Sequence, residues 1–203
     1  MSIASYSELQ TAVGNWLNRS DLTSYIPDFI SLGEARIYRE LRIRAMETAL
    51  SSAISSGVLA VPSTYIEIKF AYVDGSPSRL LKRTTPDDIY ARYPVRASTG
   101  RPVHIAREGS NFIFGPYPDS AYTIKGIYYA RLTALSDSNT TNWFTTNAPG
   151  ILLYAALCEA EPFLKNDARI ALWQAKYAEE KDGIEREERN EQFSGGGLAM
   201  SVR

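Results

Sequence analysis

The two residues best suited to acid–base or nucleophilic chemistry occur once each in this sequence. They are His104 and Cys158, among 203 residues. Histidine is the usual proton carrier near neutral pH, whereas cysteine attacks only as its thiolate. His104 falls in a predicted strand. Cys158 ends the apolar run 151–158, where burial raises the pKa of a thiol. Both residues are therefore expected to be structural, and no Ser-His-Asp triad is predicted.

Patterns for binding metals or phosphates are also missing from the sequence. One histidine and one cysteine cannot supply a zinc site. The triplet Gly195-Gly196-Gly197 is not followed by Lys-Ser or Lys-Thr, so it indicates a linker rather than a phosphate loop. We therefore expect no cofactor, no metal and no enzymatic activity. The enzymatic alternative is a cell-wall hydrolase, which would need a cleft with two convergent carboxylates.

Two charge patterns indicate contacts rather than catalysis. Segment 179–191 holds seven acids and three bases. One face of a predicted helix carries four arginines, which could be solvated, pair across a subunit interface or touch DNA phosphate. We favour solvation or the interface over DNA. The predicted contacts between copies join the arginines to two acids of the second pattern: Arg36, Arg39, Arg42, Arg44, Glu185 and Glu188.

The last ten residues form a candidate attachment segment. After the glycine triplet, Leu198, Met200 and Val202 alternate with small or polar residues, as in a strand that pairs with a sheet edge. Apolar tails need a partner to cover them. A disordered terminus is the competing interpretation. The candidate contact residues are Leu198, Met200, Val202 and Arg203.

These candidate residues depend on elements that the hydrophobic pattern predicts. Residues 1–47 are expected to hold N-terminal helices, 48–135 an inserted β-rich domain, 136–193 C-terminal helices and 194–203 a flexible tail. The expected fold class is α+β, with terminal α-helices forming a bundle around an inserted antiparallel β-rich domain. This prediction rests on the spacing of apolar residues. They recur at helical spacing near both ends of the chain, and they alternate with polar residues in the middle.

Local sequence signals predict four further structural features. Ser5 and Glu8 have the spacing of a capping box. Asp74-Gly75 predicts a hairpin, with 79–83 as the return strand. Residues 151–160 are apolar on all sides, which predicts a buried helix, and Pro162 is expected to end or kink it.

Composition limits the possible surroundings. The formal net charge is -1, so no overall positive field attracts nucleic acid or anionic lipid. The N-terminus shows no signal peptide, and no apolar run approaches a membrane span. We expect a soluble protein made in the cytoplasm. Thirteen tyrosines against seven phenylalanines suit half-buried sheets and protein interfaces.

Short motifs that combine turn chemistry with hydrophobic pattern occur over most of the chain. In order they are 6–9, 38–41, 62–65, 85–90, Arg101-Pro-Val-His104, Ile113-Phe-Gly-Pro-Tyr-Pro118, Ile127-Tyr-Tyr-Ala130, 135–136, Asn142-Trp143 and Pro149 to Ala156. Their order and spacing resemble the adaptor, or head-to-tail connector, proteins of podovirus-like tailed phages. The resemblance implies that the tail residues Leu198, Met200, Val202 and Arg203 bind the portal protein.

The resemblance implies a structural protein of the virion, at the head–tail interface. Members of this family form a ring, commonly twelve-fold, that joins the portal to the tail nozzle or tube. Double-stranded DNA passes through without sequence readout, and no membrane is involved. The competing function is a β-rich carbohydrate-binding module of a phage tail, with Tyr117, Tyr128 and Tyr129 stacking on sugars.

Overall fold

The computed structural model describes residues 3–95, 97–164 and 169–193 and has an α+β fold. It divides into two compact units. The helical unit comprises Met1–Ala45 and Leu132–Arg203, and the β unit comprises Met46–Arg131. The boundaries expected from the sequence, after 47 and after 135, lie two and four residues further along the chain.

The helical unit is organised around one apolar helix. Its helices are α1 (Tyr6–Leu17), α2 (Ile26–Glu40), α4 (Trp143–Asn147), α5 (Pro149–Leu164) and α6 (Ile170–Phe193). Helix α5 packs against the other four. Its residues Ile151, Ala155 and Leu157 are completely buried, as an apolar surface on all sides of a helix requires.

Helix ends follow local side-chain chemistry. The Ser5 hydroxyl accepts a hydrogen bond from Glu8 N at 3.3 Å, and the Glu8 carboxylate accepts from Ala4 N at 2.7 Å. The predicted cap is therefore present, although Glu8 reaches one residue further back than a capping box requires. Pro162 was expected to end or kink α5. It lies inside the helix, two residues before Leu164, so α5 does not stop at the proline, and a kink stays a prediction.

The β unit contains two four-stranded sheets and helix α3 (Pro86–Arg92). The first sheet has the order β1-β8-β3-β4 and the second β2-β7-β6-β5. The strands are β1 (Glu47–Ala53), β2 (Val58–Ala60), β3 (Tyr65–Val73), β4 (Arg79–Leu80), β5 (Lys82–Arg83), β6 (His104–Glu108), β7 (Asn111–Gly115) and β8 (Thr123–Ala130). One apolar core draws on both sheets and includes Leu50, Phe112 and Ile124.

The segment 79–83 is not the single return strand that the sequence predicts. It divides at Leu81, whose side chain is buried in the core. Leu81 N donates to Ala71 O of β3 at 2.9 Å, whereas Lys82 N donates to Val103 O at 2.9 Å, just before β6. The chain therefore crosses from the first sheet to the second at Leu81. The residue itself hydrogen-bonds to β3, whereas the next residue, Lys82, hydrogen-bonds to the segment before β6.

Candidate functional site

His104 and Cys158 both have structural surroundings. His104 is partly buried, and its Nδ1 lies 3.2 Å from the Tyr93 hydroxyl. Cys158 is buried in α5, and burial raises the pKa of its thiol although the nearby Arg36 guanidinium opposes the shift. Cys158 therefore remains a thiol at neutral pH, which makes it a poor nucleophile.

Two clefts among the described residues lack an acid–base pair. A groove of about 480 Å³ beside α1 is lined by hydroxyl, amide and apolar groups with Arg19, and by no carboxylate, histidine or cysteine. A cleft of about 180 Å³ in the β unit has Glu67 as its one carboxylate, 3.4 Å from Arg83. Within 3–95, 97–164 and 169–193, no three His, Cys, Asp or Glu residues are grouped to hold a metal ion.

The three tyrosines proposed to stack on sugars have separate surroundings. Tyr128 is buried in the core and stacks on Tyr65, with ring centroids 5.9 Å apart. Tyr129 is its neighbour on β8, so its side chain points to the opposite sheet face. The Tyr117 hydroxyl donates to Ser56 O at 3.1 Å. Tyr128 and Tyr129 therefore cannot line the same aromatic groove.

The four predicted arginines do not share one helix face, because α2 ends at Glu40 and Arg42 and Arg44 lie beyond it. Most of the four are engaged within their own chain. The Arg36 guanidinium lies 3.2 Å from a Glu40 oxygen and 3.7 Å from a Glu159 oxygen. It also lies over the Tyr177 ring, 4.4 Å from the centroid. A guanidinium that faces two carboxylates and one aromatic ring joins α2, α5 and α6. Arg39, in contrast, is exposed and makes no ion pair among the described residues.

The two arginines beyond the end of α2 have contacts in the same chain as well. Arg44 pairs with Glu188, at 3.4 Å, and with Glu191. Arg42 donates to the backbone oxygens of Tyr38 and Leu41 at 2.8 and 2.6 Å. Contact between copies through these residues stays a prediction. Such a contact would have to replace or extend pairs that one chain already makes.

A buried carboxylate that the sequence reasoning missed lies on the opposite side of α2. Glu34 is 4% exposed, and its oxygens accept from Leu135 N at 3.3 Å and from Asn142 Nδ2 at 3.2 Å. Burial raises its pKa to about 6, and these two donors oppose the rise. The available signal was an acid next to Gly33 on the apolar stripe of α2.

A second missed carboxylate joins α5 to α6. Glu161 is completely buried and accepts from Trp173 Nε1 at 3.0 Å. Arg169 Nε lies 3.4 Å from the same oxygen. Glu34 and Glu161 both hold elements of the helical unit together.

The four tail residues predicted to bind the portal lie outside the described residues. The family comparison, however, includes part of the tail: a family model described as SU10 adaptor protein matches residues 4–200. The chain belongs to the SU10 adaptor protein family. No curated protein matches it. The resemblance to phage adaptor proteins is therefore confirmed over almost the whole sequence.

Membership of the SU10 adaptor family makes the chain a structural bacteriophage protein. An adaptor is a component of the virion and interacts with other phage head and tail proteins. Among the described residues of this adaptor, no helix has the length and apolarity needed to cross a membrane.

Arg36 is expected to stabilise the adaptor more than Arg39 does. Replacing Arg36 by alanine should lower the free energy of unfolding by about 1 kcal/mol, because it removes a partly buried ion-pair and ring contact. Arg39→Ala is the matched control on the same helix and should change stability by less than about 0.5 kcal/mol. Urea unfolding measures both values, and equal losses would show that the contacts of Arg36 contribute no extra stability.

Proposed function

We propose that this adaptor forms a ring between the portal and the tail nozzle or tube and continues the DNA channel. The observation that carries the proposal is the family match over residues 4–200. The proposed ring is a dodecamer in the virion, assembled in the host cytoplasm. The proposed ring acts through its shape and its protein contacts and does not catalyse a reaction, so no enzymatic activity is proposed.

A closed ring needs two unlike surfaces on every subunit. The charges of the two units support such a pair. The β unit carries ten Lys and Arg against seven Asp and Glu, whereas the helical unit carries twelve against sixteen. We propose that the net positive β unit of one copy faces the net negative helical unit of the next. This attraction favours head-to-tail association over pairing of like surfaces.

Passage of DNA needs no sequence-specific site. Contacts to phosphates position a duplex but do not read its bases. Arg36, Arg42 and Arg44 are engaged within the chain, which favours free passage of DNA over tight binding. We propose non-specific passage of double-stranded DNA through the ring.

Imaging with a portal tests this function. Purified adaptor mixed with purified portal should give one added ring with twelve copies, counted by native mass spectrometry and by rotational averaging of negative-stain images. An adaptor that binds neither portal nor other copies, even in disassembled virions, would contradict the proposal. Turnover of a cell-wall substrate would contradict the non-enzymatic part.

The charge contacts predicted between copies have a separate test. Reversing Glu185 and Glu188 to lysine should weaken ring assembly and reduce its salt dependence, since exposed ion pairs are screened by salt. Assembly and salt dependence equal to the wild type would show that these acids act only within one chain.

A further inference from the structure

Strand β1 is a long open edge. It spans Glu47–Ala53 and pairs with β8, and it occupies the end of its sheet. The other edge strands of the two described sheets are β2, β4 and β5, which have three, two and two residues. An edge of seven residues presents a row of backbone donors and acceptors to any extended segment.

The hydrogen bonds show which backbone groups face outward. Ile54 N donates to Tyr122 O at 2.9 Å, and this pair continues the register in which Ala53 lies opposite Thr123. Hydrogen-bonded pairs alternate along an antiparallel ladder. Thr48, Leu50 and Ser52 therefore bond to β8. The outward N–H and C=O groups belong to Glu47, Ala49, Ser51 and Ala53.

The side chains of β1 leave this edge accessible. Leu50 is the one buried residue of the strand, and it lies on the core face. Thr48 and Ser52 point to the same face of the sheet as Leu50. Both are exposed, because no further strand lies beyond β1 to cover them. The opposite face carries exposed Ala49, Ser51 and Ala53, which are too small to block an approaching chain.

Strand β1 also lacks the features that protect edges from pairing. It has no proline, no lysine and no register shift against β8. Its one charge, Glu47, is at the start of the strand, 2.6 Å from Lys69 Nζ. The edges β4 and β5, in contrast, are two residues long and carry Arg79, Lys82 and Arg83. Protection is present at those edges and missing at β1.

We propose that the outer edge of β1 binds residues 198–203 of a second copy as an added antiparallel strand, in place of the portal contact predicted for these residues from the sequence. The proposal rests on the self-association proposed above. The segment follows a glycine linker, spans six residues against seven in β1, and alternates apolar with small or polar residues. Its single charge, Arg203, is opposite in sign to Glu47.

One register satisfies both the alternation and the charge. If Arg203 lies opposite Glu47, Met200 lies opposite Leu50 on the core face. Every apolar residue of the segment then extends the core at its exposed margin, and every small residue meets a small residue. A shift by one residue would turn the apolar set to solvent. The pairs are Arg203 with Glu47, Val202 with Thr48, Ser201 with Ala49, Met200 with Leu50, Ala199 with Ser51 and Leu198 with Ser52.

Disulfide trapping between singly substituted full-length chains tests this register. A Thr48→Cys chain is mixed with a Val202→Cys chain and oxidised with diamide. In the proposed register these two residues form a non-hydrogen-bonded pair, whose Cα atoms are about 4.5 Å apart and within disulfide range. The expected product is a linked pair of chains on a non-reducing gel. Each chain carries one new thiol, so only contact between copies can produce this product; Cys158 is buried in both.

The matched control moves the second thiol by one residue. Ser201→Cys points to the other sheet face and should give little product with Thr48→Cys. Equal yields from Val202→Cys and Ser201→Cys would overturn the register, and no product in assembled rings would overturn the proposal.

A peptide experiment decides the matter even if rings do not form. A fluorescent peptide of residues 194–203 is titrated with full-length chain whose own tail carries Ser201→Pro. N-methylation of the peptide at Ala199 and Ser201 removes donors directed at β1 and should weaken binding about tenfold or more. N-methylation at Met200 and Val202 removes donors directed away from β1 and should weaken it less than about threefold.

The two peptide outcomes separate this inference from the proposed function. Absence of saturable binding, or equal losses from the two methylation patterns, would overturn strand addition at β1. If the peptide binds purified portal and not the adaptor, the tail belongs to the portal, and the adaptor ring remains supported. Failure of ring formation with retained peptide binding would instead contradict the proposed ring.

Discussion

Replacing Gly33 by leucine is expected to lower the free energy of unfolding by about 3 kcal/mol, because α2 and α5 are too close to admit a side chain there. A Cβ at position 33 would lie 2.9 Å from Ala156 N and 3.1 Å from the Ala155 carbonyl carbon. Both are backbone atoms, so the helices must separate. The better helix propensity of leucine offsets only about 1 kcal/mol of the loss. Urea unfolding monitored by circular dichroism measures the change.

Gly183 provides the control on another helix of the same unit. A Cβ at Gly183 would meet nothing within 4 Å. Gly183→Ala should therefore raise the free energy of unfolding by up to about 1 kcal/mol, since alanine favours the helix. Similar effects at the two glycines would show that α2 and α5 do not pack as closely as described.

Glu34 is expected to make the adaptor less stable as the pH rises through the range 4.5 to 6. Its carboxyl has an ordinary pKa of 4.5, and burial raises the pKa to about 6 in the folded chain. The folded state therefore binds the proton of Glu34 more tightly than the unfolded state does. The stabilisation that this proton provides is complete below pH 4.5 and is lost as the pH rises through 6. A rise of that size corresponds to roughly 2 kcal/mol, all of it absent at pH 7.

The variant Glu34→Gln isolates this effect. The amide does not titrate, so the difference in unfolding free energy between wild type and variant should change by roughly 2 kcal/mol between pH 4.5 and pH 7. Carboxylates whose pKa is lowered by a basic partner, such as Asp74 beside Lys125, give the opposite slope. They are present in both proteins and cancel in the difference. A difference that does not vary with pH would show that Glu34 is not buried as described.

Counts of residue types limit the chemistry that the sequence suggests. One histidine and one cysteine are too few for a zinc site built from those two residue types alone. A Ser-His-Asp triad needs only one histidine, so the absence of enzymatic activity stays a prediction. The α+β class followed from hydrophobic period alone, since the solvent-facing side of an element repeats with its backbone geometry. Family membership followed from the order of many weak motifs along the chain.

The errors arose where partners come from distant parts of the sequence. The pattern around Leu81 fits one strand, yet its neighbours hydrogen-bond to different sheets. Pro162 lies inside α5, two residues before Leu164, so the helix does not stop at the proline itself. Local propensity is worth about 1 kcal/mol at such positions, and tertiary contacts exceed it.

The sequence by itself determined the types of residue available, the period of each element and the family. Only the tertiary structure decided that Arg36 and Arg44 meet acids of their own chain, that Glu34 is buried, and that β1 is an open edge. The reason is physical: period and composition act over a few neighbouring residues, whereas ion pairing, burial and strand order depend on distances between residues that may be a hundred positions apart.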